Sequence, residues 1–368
     1  IDQVLDLYRD AIRNTRYVPT YVSAHVDSAR LCLEAQMPDR AIAAFERVEE
    51  IAPGLGPTRW YLGRLYLDRF RQRSRSAADI DRAVEAYRGI LEAAPEHQNA
   101  MAALEGLFAG GVKALEIGEF LEPLYRMQEQ WEKLLFLNEH LLQYQADPSE
   151  RIALMHRAAE IAESRLLAAD RASIWMQRAL LEDPANEETL REVERLAAVN
   201  DGWAQLANTY ADAIVSEIPA EDRVMLGKRL ARVYEEELGD VERSEASLRY
   251  VVALAGKDQE ALEALDRIYY EHGAHESLVD VIKRRVAASD DPMEQVELNY
   301  RLGQVLEDDL QRSDDAVAVY KHILESLEPE HAESIKALQE IYTRKEDWPN
   351  LLQAFEKELA VALGDVER

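Results

Sequence analysis

The chain has 368 residues, of which 43 are Lys or Arg and 71 are Asp or Glu, so its formal net charge at pH 7 is −28. Because nucleic-acid binding draws much of its affinity from cationic contacts with phosphates, this balance argues against nucleic acid as a main partner and favours basic or neutral partners. The single cysteine, Cys32, excludes an intrachain disulfide, so packing must hold the fold.

Membrane and targeting signals are absent from the sequence. No apolar stretch approaches the roughly 20 residues that cross a bilayer, and no basic and apolar leader opens the chain. We therefore expect a soluble chain without membrane insertion. The cytoplasm is favoured, but the compartment stays open because the chain begins at Ile1 and not at methionine.

Two motifs of equal spacing stand near the start of the chain. Each has a small residue, an aromatic residue four positions later and a proline eight positions after that: Ala41, Phe45 and Pro53, then Ala83, Tyr87 and Pro95. A Leu-Gly-x-x-Tyr run, Leu62 to Tyr66, precedes the second motif. A small residue allows two helices to approach closely while a large one fills the gap beside it, so these motifs predict helical hairpins.

A basic island lies between these motifs, where the spacing exceeds the regular one by eight residues and we expect a helix to extend. It consists of Arg69, Arg71, Arg73 and Arg75. Two interpretations stay open. The island is a solvated extension that neutralises the neighbouring Asp68, Asp79 and Asp81, or it is a docking patch for an acidic peptide or a phosphate-bearing partner.

The pair Gly110 and Gly111, followed by Pro123, lowers helix propensity. We expect the stacking of helices to change near residues 108–124. The predicted domains are N-terminal hairpins over 1–107, an irregular helical connection over 108–149 and three four-helix units over 150–368.

A marker returns about every 72 residues in the second part of the chain: Trp131, Trp203, His275 and Trp348. Four leucines keep pace with it: Leu134, Leu206, Leu278 and Leu351. Such a period indicates stacked supersecondary units, here beginning near Glu150, Asp222 and Glu294. In the first helix of the second unit, the helical spacing predicts one apolar face: Leu226, Leu230, Val233, Tyr234 and Leu238.

Four helices in about 72 residues make two hairpins of about 36, and together with the motifs above this resembles the tetratricopeptide repeat. The similarity extends over the whole chain and is greatest to long bacterial tandem-repeat proteins. It implies an all-α fold, a right-handed α-solenoid of about 18 to 20 helices. In unit register the closing LGDVER matches a linker between units, so we expect the array to continue into a further unit.

Catalytic signatures are absent from the sequence, and we expect neither an enzyme nor a bound cofactor or metal. His272 and His275 fall in a predicted turn, and acidic runs such as Glu235 to Glu237 fit a solvated helix face better than a calcium loop. Cys32 stands at a core position of the motif, and the tryptophans fit packing roles.

The resemblance places a partner-binding groove on the concave face, which the first helices of the hairpins line. Its predicted lining is Trp60, Arg64, His156, Glu160, Glu163, Lys228, Arg232, Glu235, Tyr300, Gln304 and Glu307. We expect a non-enzymatic scaffold that binds a protein or peptide there, oriented by Arg64, Lys228 and Arg232. The alternatives are an assembly module that associates with itself and a regulatory domain of a larger protein.

Overall fold

The computed structural model describes residues 2–14, 18–74 and 76–367, and every regular element in these ranges is helical. The prediction of an all-α chain is confirmed, and the 20 α-helices in the described ranges agree with the expected number. The chain divides into two compact units, Ile1–Ala168 and Ala169–Arg368. The domain bounds drawn from the sequence stay a prediction.

Nine α-helices lie in the described part of the first compact unit. They are α1 (Asp2–Asn14), α2 (Val18–Glu34), α3 (Pro38–Ile51), α4 (Gly56–Arg69), α5 (Ala77–Ala93), α6 (Gln98–Ala109), α7 (Ala114–Met127), α8 (Trp131–Leu141) and α9 (Pro148–Ser164).

The described part of the second compact unit holds eleven α-helices. They are α10 (Ala169–Glu182), α11 (Glu187–Asn200), α12 (Trp203–Val215), α13 (Ala220–Arg232), α14 (Val241–Leu254), α15 (Gln259–Glu271), α16 (His275–Ala288), α17 (Pro292–Gln304), α18 (Ser313–His322), α19 (Ala332–Arg344) and α20 (Trp348–Glu367). The helices α9, α13 and α17 begin where the three repeat units were predicted.

The turn before each marker residue contains one residue in the left-handed region. The positive φ angles are 53° at Glu129, 55° at Asp201, 65° at Gly273 and 56° at Glu346. Each lies two positions before the marker at the start of α8, α12, α16 or α20. A left-handed residue ends one helix and turns the chain toward the next. The backbone conformation of this turn therefore repeats with the same period as the buried core positions.

Close packing within hairpins follows the predicted pairing of a small and a large residue. A Cβ atom added to Gly63 on α4 would lie 2.8 Å from Cε1 of Tyr87 on α5. Gly303 on α17 has the same relation to the buried Tyr320 on α18. Only a residue without a side chain permits this approach, which confirms the motif-based prediction at both ends of the chain.

The marker leucines occupy equivalent environments. Leu134, Leu206 and Leu278 are completely buried, and Leu351 is 8% exposed. Cys32 is buried as well. The register drawn from the sequence is therefore confirmed for the fourth helix of each unit.

One predicted core position is wrong. Leu226, Leu230 and Val233 are buried as expected, but Leu238 is exposed. The regular helix α13 ends at Arg232 and continues as a π-helical turn, Val233–Glu237. A π-turn holds an extra residue per turn, so the regular helical spacing fails there and rotates Leu238 out of the apolar face. An equivalent π-turn, Val305–Asp309, follows α17.

The two predicted irregularities have different outcomes. The helix α4 does extend, through a π-helical turn over Phe70–Ser74. The glycine pair ends α6, and Gly111 has a φ of 72°. Pro123, in contrast, lies inside α7, because burial of Leu121 and Tyr125 on either side of it offsets the cost of a proline in a helix.

Candidate partner-binding surface

Charged side chains connect the first helices of successive hairpins in the second compact unit, namely α11, α13, α15, α17 and α19. Glu194 on α11 accepts a hydrogen bond of 2.6 Å from Arg229 on α13. Asp266 on α15 stands one repeat period later and accepts bonds of 2.7 and 3.0 Å from Arg301 on α17. The same carboxylate–guanidinium pair therefore joins neighbouring first helices in two successive repeat units.

A second pair of contacts extends this series. Glu235, in the π-turn after α13, pairs with Arg267 on α15. Glu307, in the π-turn after α17, pairs with Arg344 on α19. Because Glu235 and Glu307 are also one repeat period apart, the two π-turns aim equivalent carboxylates at the next first helix. We call the surface formed by these four ion pairs the ladder face.

Side chains on the fourth helices α12 and α16 also donate hydrogen bonds to carboxylates of the ladder face. The Tyr210 hydroxyl of α12 donates to Glu194 at 3.0 Å, and Arg285 of α16 donates to Asp266 at 2.5 Å. Burial and the Glu194 carboxylate raise the pKa of the Tyr210 hydroxyl above its usual value. Asp266 is only 2% exposed, so its charge is held by two guanidinium groups and not by water.

The predicted groove cations Lys228 and Arg232 are not free. Lys228 lies 2.6 Å from Glu260 on α15 and 3.3 Å from Asp258, the N-cap residue just before that helix. Burial disfavours its charged form, but these two hydrogen bonds outweigh burial, so the pKa of Lys228 is above its usual value. Arg232 lies 3.2 Å from Glu194. Both cations therefore contact carboxylates on neighbouring first helices, and a role in orienting a partner stays a prediction.

Two tyrosine side chains lie beside the ion pairs of the ladder face. Tyr270 on α15 is 62% exposed, and the Arg301 guanidinium lies 5.4 Å from the centre of its ring. Tyr300 on α17 is half-buried against Tyr320 and His331, at ring distances of 5.8 and 5.3 Å. Burial raises the pKa of Tyr300. Tyr270 is thus an exposed aromatic ring that the Arg301 guanidinium holds in a cation–π contact on the ladder face.

The remaining predicted lining residues are distributed over both units. Gln304 is exposed on α17, one turn after Tyr300. On α4, Trp60 packs against Tyr87 and His97 at ring distances of 5.7 and 5.9 Å, whereas Arg64 is exposed.

On α9, Glu160 is exposed, and His156 and Glu163 are half-buried. The structure thus brings together the predicted residues of α13 and α17, through α15. The predicted Lys228 and Glu235 contact Glu260 and Arg267 of α15, and Asp266 of α15 contacts Arg301 of α17. Glu260, Asp266, Arg267 and Arg301 are not among the residues that the sequence predicted.

The arginine island is only partly described. Arg69 donates to Asp79 at 3.0 Å, lies 3.4 Å from Asp39 and stacks over the Tyr66 ring at 5.3 Å. Arg71 is exposed. The side chain of Arg73 and the whole of Arg75 lie outside the described residues. Arg69 thus neutralises a neighbouring aspartate, and a docking role for the island stays a prediction.

The first compact unit contains a charged groove that the sequence analysis missed. It has a volume of about 1060 Å³ and lies between α3, α4, α5 and the start of α7. Arg59 donates to Glu49 at 2.9 Å and Arg82 to Glu46 at 3.1 Å, so much of its charge is paired internally. The signal was present in Asp81, Glu85 and Glu92, which share one face of α5 at helical spacing.

Other candidate chemistry is sparse in the described part of the chain. No group of three or more His, Cys, Asp or Glu side chains there is placed to hold a metal ion. His272 contacts the carbonyl oxygen of Ile268 at 2.9 Å, within its own helix end. None of the helices within the described ranges combines the length and apolar character needed to cross a bilayer.

Comparison with known proteins gives only distant similarity. No family model and no curated protein matches the sequence. A crystal structure of MamA is 17% identical, with a TM-score of 0.30, and the match covers 56% of this chain and 96% of that one. A putative kinesin light chain of Podosopora anserina with TPR-like repeats is 17% identical, with a TM-score of 0.29 and coverage of 60% and 99%.

The Cut9-Hcn1 hetero-tetramer of the APC/C is 12% identical, with a TM-score of 0.26 and coverage of 95% and 75%. These scores are too low to carry an argument about function. The assignment of the hairpins rests on their own geometry, above all the close contacts of Gly63 with Tyr87 and of Gly303 with Tyr320. Both compact units are built of helical hairpins, in which consecutive helices pack against each other.

Proposed function

We propose that the chain is a non-enzymatic scaffold that binds a partner protein or peptide on the ladder face. The observation that carries this proposal is Tyr270, a large aromatic side chain that is mostly exposed yet fixed beside Arg301. Hot spots of protein interfaces are enriched in tyrosine and arginine that stand in ordered surroundings. The ion pairs of the ladder face hold the neighbouring helices in place, so little conformational entropy is lost when a partner binds there.

Charge supports a polypeptide partner. The chain carries a formal net charge of −28, and the ladder consists of carboxylates that are each paired with a cation. A nucleic acid would meet long-range repulsion here, whereas a basic or neutral polypeptide would not. Gln304, exposed on α17, adds neutral hydrogen-bonding groups beside Tyr300.

The structure determines which substitutions test the proposal cleanly. Changing Lys228 or Arg232 to glutamate would place like charges against Glu260 or Glu194 and would perturb the fold as well as binding. Tyr270→Ala avoids this, because its ring is mostly exposed. Tyr250→Ala on α14 is the matched control, since Tyr250 is also an exposed tyrosine but lies on a second helix of a hairpin.

The experiment is affinity capture from cells of the source organism with the wild type and both variants, followed by direct titration of each recovered protein. We expect Tyr270→Ala to lower recovery and affinity at least about tenfold, as for an aromatic hot spot, and Tyr250→Ala to match the wild type. Circular dichroism checks that helicity is unchanged. Equal binding of a partner by all three proteins would reject the ladder face as its site.

A further inference from the structure

The last helix carries an exposed apolar stripe. Trp348, Leu352, Phe355 and Leu359 on α20 are between 49% and 61% exposed. Steps of four, three and four residues place them on a single helical face. A continuous row of four large apolar side chains is unusual on a surface helix and is typical of a face that packs against another element.

The equivalent faces of earlier fourth helices are covered. In repeat register, Leu352 and Phe355 correspond to Val279 and Ile282 of α16, both buried. They belong to one apolar core with Val296 and Leu302 of α17. Ala207 of α12 is likewise buried, and α12 packs against α13. The α20 stripe thus continues a series of interfaces in which a fourth helix receives the first helix of a following unit.

The charges beside the stripe are reversed relative to α16. Arg285 of α16 lies 3.8 Å from Glu294 in the first turn of α17. Glu358 occupies the equivalent position on α20, and Glu356 replaces Lys283. Both glutamates are exposed, and Glu358 also accepts a hydrogen bond of 2.8 Å from Gln339 on α19. A helix that packed on α20 as α17 packs on α16 would bring its residue at the Glu294 position toward Glu358, and a basic residue there would be favoured.

We propose that the α20 stripe is a docking site for an amphipathic helix that has the apolar pattern of α17 and a lysine or arginine in place of Glu294. The continuity with the α12–α13 and α16–α17 interfaces gives the apolar part of this partner. Because Glu358 stands where α16 has Arg285, the partner helix is expected to carry a positive charge at the Glu294 position. The stripe is separate from the ladder face, and the inference does not depend on partner binding there.

The probes are two labelled synthetic peptides that span residues 291–311 of this chain, one with the natural sequence and one with Glu294→Lys. Their binding to the whole protein is followed by fluorescence anisotropy at low ionic strength. We expect both peptides to bind, and the Glu294→Lys peptide to bind roughly two- to fivefold more tightly, because one repulsive surface pair becomes attractive.

Matched variants locate the site. Leu352→Asp on α20 should lower the affinity for both peptides at least about tenfold, since it places a charge in the centre of the stripe. Ile174→Asp on α10 is the control. Ile174 is similarly exposed, at 57%, and α10 is distant from α20 in sequence. Both changes fall on exposed side chains, so neither is expected to unfold the protein.

Three results would overturn the proposal. The first is no binding of either peptide, and the second is equal binding by wild type and Leu352→Asp. The third is a concentration-dependent dimer in light scattering that Leu352→Asp abolishes while the peptides fail to compete, because the stripe would then serve a second copy of the chain. Tighter binding of the unmodified peptide would refute the charge assignment.

Discussion

The carboxylate of Asp266 forms a bidentate pair with the Arg301 guanidinium, at 2.7 and 3.0 Å, and Glu194 meets Arg229 in the same register one repeat period earlier. The two pairs differ in burial. Asp266 is almost fully buried and also binds Arg285, whereas the side chain of Glu194 retains 20% exposure. The repeat thus gives two versions of one contact whose contributions to stability can be compared within one chain.

We expect Asp266→Ala to lower the free energy of unfolding by roughly 3 to 5 kcal/mol, because it leaves Arg285 and Arg301 without their buried counter-charge. Glu194→Ala should cost less, about 1 to 3 kcal/mol, since water reaches the arginines that it leaves behind. Urea titration followed by circular dichroism measures both. A larger loss for Glu194→Ala would mean that burial does not set the strength of the ladder.

Tyr269 and Tyr342 are equivalent residues with different hydroxyl environments. The Tyr269 hydroxyl donates to Glu245 at 2.9 Å. Val317 stands at the equivalent of Glu245 in the next unit, and the buried Tyr342 hydroxyl has no hydrogen-bond partner among the described residues. We predict that Tyr269→Phe lowers the free energy of unfolding by roughly 1 to 3 kcal/mol, and that Tyr342→Phe leaves it unchanged or raises it.

The comparison of Tyr269→Phe with Tyr342→Phe is its own control, because both changes remove one oxygen from a buried ring. Urea titrations of the two variants beside the wild type supply the measurement. Equal losses of stability would show that the Tyr342 hydroxyl does have a partner in solution, such as an ordered water.

We expect alkaline pH to unfold the chain, because ionisation of its buried tyrosine hydroxyls favours the unfolded state. Burial raises the pKa of Tyr66, Tyr87 and Tyr269 to about 12, from an ordinary value of 10.0. The folded state therefore favours the protonated phenol. This stabilisation is complete below about pH 10 and is lost as the pH rises through 12. Phenolate absorbance and helical circular dichroism, recorded together, should change in this window. Full ionisation near pH 10 with helicity intact would contradict the prediction.

Leu206 and Leu278 give a test of repeat equivalence in the core. Both are fully buried at the same position of their units. We expect Leu206→Ala and Leu278→Ala each to cost roughly 2 to 5 kcal/mol, since each leaves a cavity between helices. Chemical denaturation of both variants under identical conditions measures this cost. If only one of the two variants loses stability, the two positions are not equivalent and the structure relaxes differently around each cavity.

The sequence was sufficient to predict the hairpins, their number and the buried leucines, because apolar periodicity and the repeat period report directly on the core. It misplaced Leu238, because no local signal distinguishes a π-turn from a further helical turn. It also did not reveal that Lys228 and Arg232 pair with carboxylates of neighbouring helices. In a chain rich in carboxylates, the partner of a cation depends on which helices become neighbours. The equal spacing of Glu194 from Asp266 and of Arg229 from Arg301 was the available signal.

The left-handed residue before the fourth helix offers a way to stabilise the protein. Glu346 has a φ of 56°, a conformation that costs a residue with a side chain about 1 to 2 kcal/mol, whereas Gly273 occupies the equivalent turn of the preceding unit. Glu346→Gly removes this cost, and the greater freedom of glycine in the unfolded chain offsets about 0.4 to 1 kcal/mol of the gain. We therefore expect a net stabilisation between zero and about 1.6 kcal/mol, measured by urea titration.

Glu340→Gly is the matched control for this change. Glu340 is an exposed glutamate six residues earlier, inside α19, where glycine should destabilise the helix by about 1 kcal/mol. The same substitution thus has opposite expected signs at two neighbouring positions, so a general effect of losing one negative charge cannot account for both. Destabilisation by Glu346→Gly as well would mean that the Glu346 side chain contributes more to the turn than its backbone conformation costs.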